Sequence, residues 1–192
     1  GTDAVNFARA GADYTGIELS GTSLALAKKR FNVYNLKGTF LNGNAENLNR
    51  LVRGEQYDLV YSFGVIHHSV NPKAIADQLA LHVKPGGEIK VMLYAKHSWK
   101  NYLVEEGKAQ PEAQAGCPQA CTYTIEEAHD LFKDFNTCIE QTFIFPWQIE
   151  PYKQNRFVKE PWFHAMPYEL FQHLQSKLGW NLLVHGVLKN EV

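Results

Sequence analysis

Near its start the chain runs a short apolar strand, Tyr14-Thr15-Gly16-Ile17-Glu18, into a carboxylate, and just before it a helix opens at Gly1-Thr2-Asp3-Ala4. Helix, strand and terminal acid in that order are the second half of a nucleotide-binding βαβ unit. In such a unit a first strand delivers a glycine-rich turn to a helix N-terminus, and an acid about 20 positions further on takes the ribose hydroxyls. Gly1 stands where the last of those glycines would be. A first strand and most of the turn are therefore expected to be missing, and the sequence to be a fragment of a longer one.

The alternation continues along the chain. Ala4, Val5, Phe7 and Ala8 repeat at helical spacing up to Ala10-Gly11, a glycine C-terminal signal. After Glu18, Ser20 and Ser23 offer N-caps to a second helix with Leu24, Leu26, Ala27 and Phe31 on its apolar face. Phe40-Leu41 reads as a very short strand and Glu46 to Val52 as a short helix. Leu59 to Phe63 is a continuous apolar strand of the kind that helices cover on both faces. Pro72 begins a helix with Ala74, Ile75, Leu79, Leu81 and Val83 on its core side, broken by Pro85-Gly86-Gly87, and Ile89 to Tyr94 is the next buried strand.

From Ala95 to Thr122 the periodicity fails, which marks an insertion of about 25 residues of the lid or mobile type. Thr124 with Glu127 forms a capping box for a helix through Ile125, Ala128, Leu131 and Phe132. Thr137 to Phe145 and Leu182 to Leu188 are late strands, expected to be antiparallel. Between them an aromatic-rich insertion, about 146–179, holds a helix from about Pro167 to Leu178. The fold class expected is α/β: a doubly wound, Rossmann-like, mostly parallel sheet with an antiparallel C-terminal hairpin and its first strand missing.

Composition narrows the function classes. A chain of 192 residues with 45% hydrophobic content can bury one sizeable core, so a single domain over 1–192 is the expectation. A net charge of -1 without basic runs or a basic stripe gives no reason to expect nucleic acid or a membrane as partner. No apolar run approaches the roughly 18 residues of a membrane span, no signal peptide is visible, and a cytoplasmic location is expected. Three cysteines fit reduced thiols better than a disulfide framework. Cys117-x-x-x-Cys121 with His129 lacks the fourth ligand and close grouping that zinc requires, so no metal is expected.

Four segments in order resemble the class I S-adenosylmethionine-dependent methyltransferases. Gly1 matches the last glycine of that family's E-x-G-x-G-x-G turn, and Glu18, with Leu19 after it, matches the ribose-binding acid. Gly43-Asn44-Ala45-Glu46 looks like the adenine-side turn. Tyr57 to His68, containing Ser62-Phe63-Gly64 and His67-His68, looks like the fourth strand and its substrate-facing loop, and Lys84-Pro85-Gly86-Gly87 with Glu88 to Val91 looks like the turn and fifth strand.

The resemblance implies S-adenosylmethionine as cofactor, contacted by Gly1, Glu18, Leu19, Asn44, Ala45, Glu46, Ser62, Phe63 and Gly64. It also implies methyl transfer to a small organic acceptor. The sulfonium methyl is already activated, so the protein mainly aligns a nucleophile and excludes water. Where the acceptor is an oxygen or nitrogen, His67 or His68 is the candidate general base. Aromatics in the two insertions either line the acceptor pocket or pack the insertions onto the sheet.

In the family the missing strand is central. Buried peptide groups left without partners cost roughly 1–3 kcal/mol each. The second and fourth strands of the family order are thus expected to pair directly, or to borrow a segment from a second copy in a homodimer. Without the glycine turn the chain is expected to bind the cofactor weakly or not at all. The alternatives are a non-catalytic binding or assembly protein of the same fold and a nicotinamide-dependent oxidoreductase, the latter disfavoured by the reversed late strands.

Overall fold

In the computed structural model, residues 1–109 and 120–189 are described. They form two compact units, Gly1–Glu55 and Gln56–Val192.

The first unit runs α1 (Thr2–Arg9), β1 (Thr15–Glu18), α2 (Gly21–Val33), β2 (Thr39–Asn42), a 3-10 turn (Ala45–Asn47) and α3 (Leu48–Val52). β1 and β2 pair in parallel, with Glu18 opposite Asn42. Ala4, Val5 and Phe31 make its core, joined by Tyr14 and Phe40, and the Phe31 and Phe40 rings meet edge to face at 4.8 Å. Ser20 caps α2 by accepting the Ser23 N–H, as expected. Leu24 and Phe31 are buried on that helix but Leu26 is exposed. It lies about 200° round the helix from Leu24, outside the buried stripe. Gly1 packs so close to α2 that a Cβ there would sit 3.0 Å from the Ala27 Cβ.

The second unit runs β3 (Tyr57–Phe63), a 3-10 turn (Ile66–His68), α4 (Pro72–His82), β4 (Val83–Ala95), α5 (Trp99–Glu105), β5 (Thr122–Tyr123) and α6 (Ile125–Leu131). It continues through β6 (Phe135–Thr142), α7 (Ile149–Lys153), α8 (Pro161–His164), α9 (Tyr168–Leu178) and β7 (Asn181–Leu188). The sheet order is β3-β4-β7-β6, with β5 on the end of β4. β3 and β5 run parallel to β4, whereas β7 is antiparallel to both β4 and β6. The chain is therefore mixed α/β with the antiparallel late pair expected. The Thr124–Glu127 capping box forms with both of its hydrogen bonds.

Within the first unit β1 pairs with β2, and within the second β3 pairs with β4. Several expectations are corrected. β3 is not the continuously buried strand expected, since Tyr61 and Phe63 on one of its faces are exposed. On α4, Leu81 is exposed and His82 is buried in its place. Lys84-Pro85-Gly86-Gly87 does not separate helix from strand, because β4 begins at Val83 and these four residues loop out between the pairs Tyr57–Val83 and Leu59–Glu88. Gly86 takes φ +75°, which only glycine adopts readily.

The first insertion contains α5, capped by Ser98, with Lys100, Asn101 and Leu103 buried; residues 110–119, including Cys117, lie outside the described residues. β6 ends at Thr142, before Phe145, because Phe143 turns to φ +61°.

Candidate functional site

In the first unit the carboxyl end of β1 is held by short-range bonds. One Glu18 carboxylate oxygen, Oε1, accepts the Ser20 N–H at 2.9 Å. Among the described residues its other oxygen accepts none. Asn42, at the end of β2, donates its side-chain amide to the carbonyls of Glu18 (2.7 Å) and Leu19 (3.0 Å). Gly43 N–H adds a second bond to the Glu18 carbonyl at 3.1 Å. Asn44 caps the following 3-10 turn by accepting the Glu46 N–H at 2.9 Å.

Glu18, Leu19, Asn44, Ala45 and Glu46 are therefore gathered on adjacent parallel strand ends, with Leu19 71% exposed beside the acid. Parallel α/β sheets bind ligands at such ends. A carboxylate with one oxygen fixed by backbone and the other open suits a vicinal diol, so the donor set fits a ribose. Sequence reasoning missed Asn42, whose only signal was its place just before Gly43.

In the second unit β3 delivers Ser62 and Phe63 to Gly64, which turns at φ +74° into the loop carrying His67 and His68. Ser62 and Gly64 are half-buried, Phe63 is exposed. The two histidines differ sharply. His68 is half-buried, whereas His67 has no exposed surface.

The His67 ring lies 3.7 Å from the Tyr94 ring, and Tyr94 stacks on Trp180 at 4.2 Å and 21°. The His68 ring meets that of His67 at 4.4 Å and that of Tyr94 at 5.6 Å. Neither His67 ring nitrogen has a hydrogen-bond partner, nor does the Trp180 indole N–H. Burial, and secondarily the neighbouring His68, push the His67 pKa down to about 3; the Met92 backbone opposes this only weakly. His67 is thus a neutral ring at ordinary pH, part of a stack that joins three distant segments of the chain. Trp180 was not singled out from the sequence, because nothing local marks a residue whose partner lies far away in the chain.

The backbone extends the same cluster. Cys121 N–H donates to the His67 carbonyl at 2.8 Å, and Lys96 N–H to that of Tyr123 at 2.8 Å. Beside it opens a shallow cleft of about 480 Å³ lined by Lys73, Cys121, Thr122, Tyr123, Glu127, Asp130 and Leu131. Burial, aided by Cys121 and Glu127, pushes the Tyr123 hydroxyl up to about 12, so it remains a neutral hydrogen-bonding group. Glu127 is held by Lys96 at 3.1 Å and by its capping bond. His129 is bonded to the Thr137 hydroxyl at 2.5 Å, and among the described residues no three His, Cys, Asp or Glu side chains group to hold a metal. Most rings of the two insertions pack on one another: Trp99 meets Trp162 at 5.4 Å, and Phe145 meets Tyr152 at 4.8 Å.

An alternating α/β chain with a carboxylate at the end of its first parallel strand and an antiparallel final pair defines a Rossmann-like α/β protein. Residues 1–89 match the family model described as a methyltransferase domain. Over that stretch the chain is similar to methyltransferase domains.

A curated relative, the mitochondrial ubiquinone biosynthesis O-methyltransferase of Dictyostelium discoideum, is 40% identical over 58 residues. That stretch is 30% of this chain and 18% of the relative, so the chain spans under a fifth of that protein. Among solved structures, a possible histamine N-methyltransferase from Thermotoga maritima is similar at 20% identity, covering 92% of this chain and 73% of its own, with a TM-score of 0.61. Magnesium protoporphyrin IX methyltransferase from Synechocystis, with S-adenosylhomocysteine bound, is similar at 12% identity, covering 97% and 68%, with a TM-score of 0.62. At these identities the two structures establish the fold.

Proposed function

We propose that the protein transfers a methyl group from S-adenosylmethionine to a small organic acceptor. The observation that carries this reading is the Glu18 carboxylate, fixed at the end of β1 by Ser20 and flanked by the Asn42–Glu46 turn, within the stretch that matches a methyltransferase domain. In the first unit Glu18 would accept the ribose hydroxyls, Leu19 would lie against the adenine, and Asn44, Ala45 and Glu46 would border it. Gly1, whose lack of a side chain permits its close approach to α2, would start the helix beside the methionine end. When bound, the cofactor supplies an activated methyl that needs alignment more than chemical assistance.

In the second unit, Ser62, Phe63 and Gly64 would shape the wall at the end of β3. His68, the partly accessible member of the pair, would take the acceptor's proton. His67 would serve as the ring that places it. The cleft beside Tyr123 and Asp130 is the space available to an acceptor in this unit. Cytoplasmic location remains part of this proposal.

Calorimetric titration with S-adenosylhomocysteine tests it. Weak binding by the wild-type chain, lowered roughly a further tenfold or more in Glu18→Ala through loss of a charged hydrogen-bond partner, is the expected result. Equal binding by the variant would remove Glu18 from the site.

A further inference from the structure

The segment between β6 and α9 leaves large apolar side chains in water. Gln148 N–H donates to the Val158 carbonyl at 2.8 Å and Glu160 N–H to that of Pro146 at 2.9 Å, with a bridge between Trp147 and Lys159. These bonds close residues 146–160 into a hairpin-like excursion that carries α7 and turns at Asn155, φ +56°. Phe157 meets Trp147 edge-on at 5.5 Å and Tyr152 at 5.8 Å. Even so Phe157 is 63% exposed, and Val158 and Trp162 after it are exposed at 42% and 45%.

Cations interleave with them. Residues 153–162 hold Lys153, Arg156 and Lys159 against one carboxylate, Glu160. Lys153 is paired with Glu150 at 2.8 Å, while the Arg156 guanidinium donates to the neutral Gln154 side chain. The net charge of -1 for the whole chain conceals this local excess. A second copy could also cover the apolar side chains, but it would bring the same positive tip against this one. An anionic surface attracts every cation in the tip while the apolar side chains enter the boundary between headgroups and acyl chains.

We propose that the tip formed by residues 153–162 is a docking surface for an anionic lipid bilayer. The proposal does not depend on the methyl-transfer reading, and its test uses no cofactor. Co-sedimentation with vesicles of phosphatidylglycerol and phosphatidylcholine is compared with that on phosphatidylcholine alone. The expected result is binding to the mixed vesicles only, weakened by added salt. Arg156→Gln and Lys159→Gln should each weaken it about fivefold, and Phe157→Ser roughly tenfold, with circular dichroism confirming that each variant is folded. Neutralising Lys28 and Lys29 on α2 should leave binding unchanged, since a general charge effect would respond to any cation. Equal binding to both vesicle types, or wild-type binding by the tip variants, would overturn the proposal. So would self-association of the wild-type chain that Arg156→Gln abolishes, which would give the surface to a second copy.

Discussion

At the carboxyl end of β1 the chain is positioned by polar bonds between groups that lie at most a strand apart: Ser20 to the Glu18 carboxylate, and Asn42 to the Glu18 and Leu19 carbonyls. At the carboxyl end of β4 it is positioned by rings drawn from distant segments, His67, Tyr94 and Trp180, with three of their nitrogens unsatisfied. The first arrangement is exposed, and each of its bonds is worth little in water. The second is buried, so it gains from area and contact but leaves polar atoms desolvated. A turn of the first kind can hold a polar ligand and still contribute little to stability. A stack of the second kind dominates stability and fixes the orientation of the half-buried His68 next to it.

The largest expected effect follows from truncating the stack. Trp180 is 3% exposed, and its ring covers one face of Tyr94. Trp180→Ala should destabilise the protein by roughly 3–5 kcal/mol in urea denaturation, the range for a buried aromatic replaced by a cavity. A loss below about 1 kcal/mol would mean that the rings touch without carrying the sheet end, and the contrast between the two ends would fail.

Next comes the acid response of His67. Its pKa in the folded chain, about 3, lies below its ordinary value of 6.5, so the unfolded chain takes the proton first as pH falls. The stability tied to the neutral ring is complete above about pH 6.5 and drains away toward pH 3, by up to about 1.4 kcal/mol per unit. His67→Phe keeps a ring against Tyr94 and removes both unpartnered nitrogens. It should be close to neutral at pH 7, because replacing an unsatisfied polar group by an apolar one of similar shape costs little. Between pH 7 and pH 4 it should lose roughly 3 kcal/mol less than wild type. Parallel acid limbs for the two proteins would show that His67 reaches solvent.

The same contrast explains what could be read from the residues alone. The first end is local: an apolar strand ending in Glu18, a capping serine two residues later and a Gly-Asn turn are each a short pattern with a physical reason. The parallel sheet, the capping box at Thr124 and the reversed late strands were legible for the same reason, since period and punctuation carry them. α5 was not, because its seven residues follow a polar stretch and its burial comes from Phe145 and the rings around it. Leu26 and Leu81 show that apolar character does not choose the buried face once a neighbouring residue at better spacing does so. The ring stack was illegible because its members are distant in sequence and a buried histidine has no local signature. The cationic tip was lost in an average, since net charge sums over the whole chain what one short segment concentrates.

The smallest effect distinguishes the two ends most directly. Asn42 holds two carbonyls at the end of β1, and both of its bonds are exposed to solvent. Asn42→Ala should therefore cost only about 1 kcal/mol of stability, since water replaces the lost donor at each carbonyl. Its effect on S-adenosylhomocysteine affinity should be larger in proportion, several-fold in Kd, because the carbonyls it pins set the direction in which the Glu18 and Leu19 side chains leave the strand. Paired urea denaturation and calorimetry measure both quantities on one preparation. A stability loss as large as that of Trp180→Ala would mean that the polar end is also structural. A small stability loss with unchanged affinity would mean that Ser20 alone orients the acid.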